Sequence, residues 1–250
     1  MKTFKELQEG VYDPNIFKAF FLAGGPGSGK SYVVAKTTKM FGMRIVNSDD
    51  VFEKLINKAG LSLDLRAMEP ETRDKIRARA KDITKARMGD IKTGEGGYIG
   101  GRLGLIIDGT GKDYDKIEGQ MRGLQRLGYE SHMIFVNTSL DVALARNEKR
   151  PRKLPESLVL KSWNNVQKNI GKFSQLFKNT FIIVDNNDPD EDVILGVFRR
   201  VKALANKKVT NGIAKAWIAN ELKMKRRVWE VMKKLLDILM KSLTDRYNLV

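Results

Sequence analysis

The chain has 250 residues, 42% hydrophobic and 30% charged, enough for one sizeable core or a core with an appendage. The lack of cysteine excludes disulfides and thiolate metal sites and fits a reducing compartment. No apolar run reaches the length of a membrane span, and the N-terminus lacks the apolar stretch of a secretory signal, so a cytoplasmic location is expected.

Residues 1–16 read as a loosely attached arm. From Phe17 strand-like and helix-like segments alternate. Phe17 to Ala23 is an apolar run expected to form a buried strand; Gly24 to Gly29 is a glycine-rich turn; Lys30 to Met40 reads as a helix. Met43 to Asn47 is a second strand, Asp50 to Ala59 a helix ending at Gly60, and Glu71 to Met88 a long charged helix entered at Pro70. Residues 89–101 hold many glycines and read as a mobile loop. A third strand, Leu103 to Ile107, ends at Asp108. A helix over Lys116 to Leu127 and a fourth strand over His132 to Val136 come next. His132 is the only histidine; a half-buried strand position is expected for it, which leaves no role for Ser-His-Asp chemistry or histidine-rich metal sites. Helices over Ser139 to Lys149 and Pro155 to Phe177, a fifth strand over Phe181 to Val184, the polar turn Asp185-Asn186-Asn187-Asp188 and a helix over Asp192 to Ala205 complete the pattern. Strands and helices alternating at this spacing predict an α/β fold: a five-stranded parallel sheet with helices on both faces.

The chain thus divides into three regions: an arm (1–16), an α/β domain (17–205) and a C-terminal helical extension (206–250). Residues 206–212 read as a linker to two helical stretches. In the second, Val228, Val231, Met232, Leu235, Leu236, Leu239 and Leu243 make an amphipathic stripe. Such a stripe packs on its own domain, on a partner helix or second copy, or on a membrane surface. Charge is uneven: the net charge is +16, and residues 199–250 hold 14 Lys and Arg against 4 Asp and Glu. That basic surplus suits a polyanionic partner such as nucleic acid, or a solvated helix face.

The segment Gly24-Gly25-Pro26-Gly27-Ser28-Gly29-Lys30-Ser31 fits G-x-x-x-x-G-K-[ST], with a strand before it and a helix after it. Glycines let several backbone N–H groups converge on one centre, and the helix N-terminus adds positive potential. Lys30 reaches the β- and γ-phosphates and the Ser31 hydroxyl ligates Mg²⁺, so Gly25 through Tyr32 is the expected ATP site. Asp108, at the end of the third strand, is placed to orient Mg²⁺; the alternative is a turn aspartate before Gly109. Asn47-Ser48-Asp49-Asp50 lies at the C-terminal end of the second strand, the edge where such sheets bind ligands. A carboxylate there can take a proton from an attacking hydroxyl, whereas Ser48 or Asp49 can also cap the next helix. Arg146 and Arg150, four apart in a helix, share a face and suit bidentate contacts with a transferring phosphoryl group.

On four motifs in order, the chain resembles the polynucleotide-kinase and zeta-toxin branch of the P-loop kinases. They are Gly24 to Ser31; Val46-Asn47-Ser48-Asp49-Asp50; Ile107-Asp108-Gly109-Thr110-Gly111-Lys112; and Arg146-Asn147-Glu148-Lys149-Arg150 with Pro155 after it. The resemblance covers about residues 17–190. The phage-type polynucleotide kinase has a general base matching Asp49 and two lid arginines matching Arg146 and Arg150. The zeta-toxin family phosphorylates a nucleotide sugar, has a base nearer Asp50 by its spacing to Phe52, and has the Gly-Thr-Gly-basic turn, with Lys112 here where an arginine is usual. The N-terminal arm and general cast also resemble tailed-phage proteins, which implies the cytoplasm of a host. The resemblance implies a P-loop kinase fold and transfer of the γ-phosphate of ATP, with Mg²⁺, to a hydroxyl of a polynucleotide or nucleotide. A nucleotide-sugar acceptor, and a non-catalytic ATP-dependent nucleic-acid-binding or assembly protein, stand as alternatives. The basic C-terminal helices match neither relative; oligomerisation through them is one expectation.

Overall fold

The computed structural model describes residues 10–37, 42–65, 68–150, 153–188 and 191–247. Contacts divide the chain into two units, Met1–Val209 and Thr210–Val250. In the first, β1 (Lys18–Ala23), β2 (Arg44–Val46), β3 (Leu105–Asp108), β4 (Glu130–Asn137) and β5 (Phe181–Asp185) form one sheet in the order β2-β3-β1-β4-β5. Every pairing is parallel. The helices are α1 (Lys30–Thr37), α2 (Ser48–Lys58), α3 (Pro70–Met88), the single turn α4 (Gly97–Gly100), α5 (Tyr114–Arg126), α6 (Leu140–Glu148), α7 (Glu156–Phe177) and α8 (Glu191–Ala205). The second unit is one helix, α9 (Gly212–Tyr247).

All six residues of β1 are buried, which is why the strand reads as a continuous apolar run: a central parallel strand is covered on both faces. Phe20 and Leu22 join Ile106, Ile134 and Val184 in a core closed by Val33 of α1 and by Val197 and Val201 of α8. Phe21 faces the other layer and meets Phe177 of α7, ring centroids 5.6 Å apart. Each such buried side chain stabilises the fold by about 1.5–3 kcal/mol. A second, smaller core lies between α2 and α3, where Phe52, Ile56 and Ala80 are fully buried and Ile76 and Leu154 pack against them.

Several expectations are corrected. Residues 10–16 are no loose arm, for Asn15 and Ile16 are buried and Phe17 N–H donates to the Arg102 carbonyl; residues 1–9 lie outside the described residues. The glycine-rich stretch 89–101 is tied down. Asp90 and Glu95 form a bridge, Ile99 is buried, and the Arg102 guanidinium donates to the Gly94 and Ile99 carbonyls. Beyond residue 212 a single 36-residue helix replaces the two stretches expected, since the basic run at 223–227 breaks the apolar periodicity without breaking the helix.

His132, expected to be half-buried, is 3% exposed. Its ring stacks on Phe20 at 4.7 Å, and neither ring nitrogen has a hydrogen-bond partner. The buried Lys18–Glu130 ion pair, close enough to act on the ring, joins the first residues of β1 and β4. Burial, reinforced by the Lys18 charge, pushes the imidazole pKa down from 6.5 to about 4. Between those values the unfolded chain takes up a proton that the folded chain refuses. Stability is therefore unaffected by this group above pH 6.5 and falls as pH drops towards 4, by up to about 3 kcal/mol. Urea unfolding at pH 7 and 4.5 checks this: the midpoint is expected to fall further in wild type than in His132→Phe, and equal falls contradict it.

Candidate active site

The turn after β1 is shaped by glycines that no other residue can replace. Gly24, Gly27 and Gly29 have φ of 150°, 79° and 82°, conformations that favour glycine. A Cβ on Gly24 would lie 2.6 Å from the Val136 carbonyl oxygen, and one on Gly27 would run into the Ala143 carbonyl. The Gly29 carbonyl accepts from Tyr32 and Val33 N–H and opens α1. Lys30, at the first position of α1, folds back so that Nζ donates to the carbonyls of Gly24 at 2.6 Å and Gly25 at 3.3 Å. Ser31 and Tyr32 are exposed on the same first turn.

Neighbouring turns brace this loop from three sides. Thr110 C=O accepts from Gly24 N–H, and a Cβ on Gly111 (φ 79°) would lie 2.6 Å from the Ala23 Cβ. The Gly109-Thr110-Gly111 turn is thus accounted for by packing, with Lys112 exposed beside it. On the opposite side, buried Asn186 donates from Nδ2 to the Ser28 carbonyl at 2.6 Å. Above the loop, the Trp163 side chain of α7 would lie 3.8 Å from a Cβ on Gly25, and Trp163 Nε1 donates to the Thr138 carbonyl. Asn186 and Trp163 escape a reading of the sequence, which shows only a polar turn and a helix there.

The expected acceptor side comes from the end of β2, the first turn of α2, the end of β3, and α3. Asn47, not Ser48 or Asp49, caps α2: its Oδ1 accepts from Asp49 N–H at 2.7 Å. Its Nδ2 donates to Asp108 Oδ2 at 2.8 Å and to Asp50 Oδ1 at 3.1 Å, so one amide links the carboxylate that ends β3 to one in the first turn of α2. Asp49 is engaged differently. Its carboxylate pairs with Arg77 of α3, whose guanidinium carbon stands 3.9 Å from the centre of the buried Phe52 ring. Arg77 is a residue that sequence reasoning missed; it is 28 positions away, and its one available sign was its place on a charged helix. The glycine stretch 89–101 lies away from this edge. It meets the chain at the entry to β1, about 20 Å along a six-residue strand from the glycine turn.

Arg146 reaches the glycine turn from α6. Its Nη1 would lie 3.7 Å from a Cβ on Gly29, and its two terminal nitrogens donate to the Asn186 and Asn187 carbonyls at 2.7 and 3.2 Å. Arg150, expected to share a helix face with Arg146, lies instead just beyond α6, which ends at Glu148, in a turn where its N–H donates to the Asn147 carbonyl. Asn147 is buried and clamps this turn to the segment after it, donating to and accepting from the Leu154 backbone. Leu154 packs on the α2–α3 core, so the chain running on from Arg146 is anchored on the side that carries Asp49.

The residues fit a magnesium–nucleotide complex. The Ser28 hydroxyl is buried and without a hydrogen-bond partner, a cost that a phosphate oxygen would relieve. Lys30 and the α1 N-terminus supply positive charge, and Ser31 with Asp108 can complete an ion held mainly by phosphate and water. Among the described residues no cluster of His, Cys, Asp and Glu forms an all-protein metal cage.

A parallel sheet in the order β2-β3-β1-β4-β5, with its glycine turn after central β1, is the P-loop kinase fold. A family model described as "AAA domain" matches residues 20–172, and the chain belongs to that family. No curated protein matches it. Among solved structures it is similar to a gluconokinase from Sinorhizobium meliloti 1021, at 14% identity over 76% of this chain and 95% of that one, TM-score 0.47. It is also similar to a chain of the Pnkp1/Rnl/Hen1 RNA repair complex, at 17% identity over 64% of this chain and 47% of that one, TM-score 0.45.

Asn186→Ala removes the brace beneath Ser28. Titration calorimetry with ATP and Mg²⁺ is expected to show affinity weakened about tenfold, the worth of one buried hydrogen bond. An unchanged affinity contradicts the role given to Asn186.

Proposed function

We propose that this chain is an ATP-dependent phosphotransferase that moves the γ-phosphate to a hydroxyl of a polynucleotide or nucleotide. The observation that carries the reading is the link Asp108–Asn47–Asp50 at the sheet edge, which joins a carboxylate at the end of β3 to one in the first turn of α2, on the edge that carries the glycine turn. Gly25 to Tyr32 bind the ATP phosphates, Lys30 meets the β- and γ-phosphates, and Ser31 and Asp108 hold Mg²⁺. When bound, that ion neutralises phosphate charge. Asp49 is the base, its rotamer held by Arg77; Asp50 is the second choice. The acceptor O–H proton passes to the Asp49 carboxylate as its oxygen forms a bond to the γ-phosphorus. The bond from that phosphorus to the bridging oxygen breaks and the electron pair leaves with ADP. Arg146, beside Gly29, and Arg150 after it balance the charge spread over the transferring group.

The basic surplus in residues 199–250 supports a polyanionic acceptor. The Gly109-Thr110-Gly111 turn, which prompts the nucleotide-sugar alternative, has a sufficient reason in packing against Ala23. A non-catalytic assembly protein would have no need of Asp49 and Arg77 beside the nucleotide edge.

Transfer from γ-labelled ATP to 5′-hydroxyl DNA, 5′-hydroxyl RNA, nucleosides and uridine-diphosphate sugars tests the proposal. Label is expected on the nucleic-acid or nucleotide acceptors. Asp49→Asn should lower the rate about 10²–10⁴-fold, and Lys30→Ala should abolish transfer. Loss in Asp50→Asn with retention in Asp49→Asn moves the base to Asp50. Label on a sugar alone selects the nucleotide-sugar kinase, and label on nothing while ATP binds removes the enzyme reading.

A further inference from the structure

The C-terminal half of α9 exposes more apolar surface than a solitary helix can keep in water. At about 100° per residue, Val228, Val231, Leu235 and Ile238 form one seam at heptad spacing. Trp229, Met232, Leu236, Leu239 and Leu243 form a second, offset by one residue. These nine side chains are between 49% and 67% exposed. Together they span about half the circumference, whereas a two-stranded coil needs a single narrow seam. Lys233, Asp237, Glu230, Lys241 and Lys234 fill the opposite arc of about 100°.

From this pattern we infer that residues 228–243 are a self-association segment, joining at least three copies of this chain in a helical bundle in which each α9 touches two neighbours. Two seams on one helix require two neighbouring helices. Leu235 followed by Ile238 puts Leu at a and Ile at d, the choice that favours three or four strands over two. The area agrees: the nine side chains expose on the order of 1,000 Å² per helix, against about 800 Å² per partner in a standard interface. The polar arc suits solvent on the outside of a bundle. Glu230–Lys234 and Asp237–Lys241 are both spaced i, i+4 with the acid first, the favourable order, so the arc is nearly self-neutralised. A helix lying on anionic lipid carries a predominantly cationic polar face instead. No helix among the described residues is long and apolar enough to cross a membrane. Closed ring symmetry satisfies every seam and leaves none exposed.

Sedimentation velocity on the full chain at micromolar concentrations tests this, with Leu235→Glu in the first seam, Leu239→Glu in the second, and Lys233→Glu on the polar arc as control. Wild type and Lys233→Glu are expected to sediment as a trimer or tetramer. Both leucine variants should fall to smaller species while binding ATP as wild type does, which shows the body still folded. A wild-type monomer across this range means that the face is covered within its own chain and overturns the proposal. A strict dimer overturns the two-neighbour arrangement. Transfer of wild type from oligomer to vesicles containing anionic phospholipid overturns it in favour of a lipid surface.

Discussion

The site depends on how closely one stretch of backbone approaches its neighbours. Between β1 and α1 the chain passes so near the Val136 and Ala143 carbonyls and the Asn186 amide that a methyl group at Gly24, Gly27 or Gly29 would collide with each in turn. That closeness is what a phosphate needs, since amide dipoles bind an anion well only when several converge and no side chain stands between. It also explains the demands on the surroundings. Gly111 must be small because Ala23 lies against it, and Asn186 must carry an amide because the Ser28 carbonyl needs a donor.

The second determinant is the set of groups around the acids at the sheet edge. Asp49, Asp50 and Asp108 bring three negative groups into a small region, an arrangement that repulsion would otherwise splay. Asn47 places one amide between Asp50 and Asp108, and Arg77 takes Asp49. The second device rests on a buried apolar group: Arg77 stacks on Phe52, and Phe52 belongs to the α2–α3 core that also receives Leu154. Through Asn147 and Leu154 that core connects with the segment beyond Arg146, so the glycine-turn side and the acid side share a structural support.

Much of this was legible in the sequence, and the unequal success has a physical cause. Local signals carried the fold: the apolar runs of β1 and β4 and the glycine turn between a strand and a helix each declare themselves within a few residues. The contacts that escaped join residues distant in sequence. Nothing near Arg77 points to Asp49, and nothing in Asp185-Asn186-Asn187 points to Ser28. Composition misled at 89–101, where glycines suggest looseness until Arg102 is seen holding the carbonyls of Gly94 and Ile99. At the capping position Asn47 outcompeted Ser48 and Asp49, because extended backbone there lets its oxygen reach the Asp49 N–H.

The most direct measurement is nucleotide affinity in Gly27→Val. A branched side chain at φ 79° against the Ala143 carbonyl forces the turn out of its conformation and leaves Lys30, Ser31 and Asp108 chemically intact. If backbone closeness makes the site, equilibrium dialysis with ATP and Mg²⁺ will show binding lost while circular dichroism keeps its native helix signal. Binding equal to wild type would mean that the nucleotide is held elsewhere, and would contradict the assignment of the turn after β1 as the phosphate cradle.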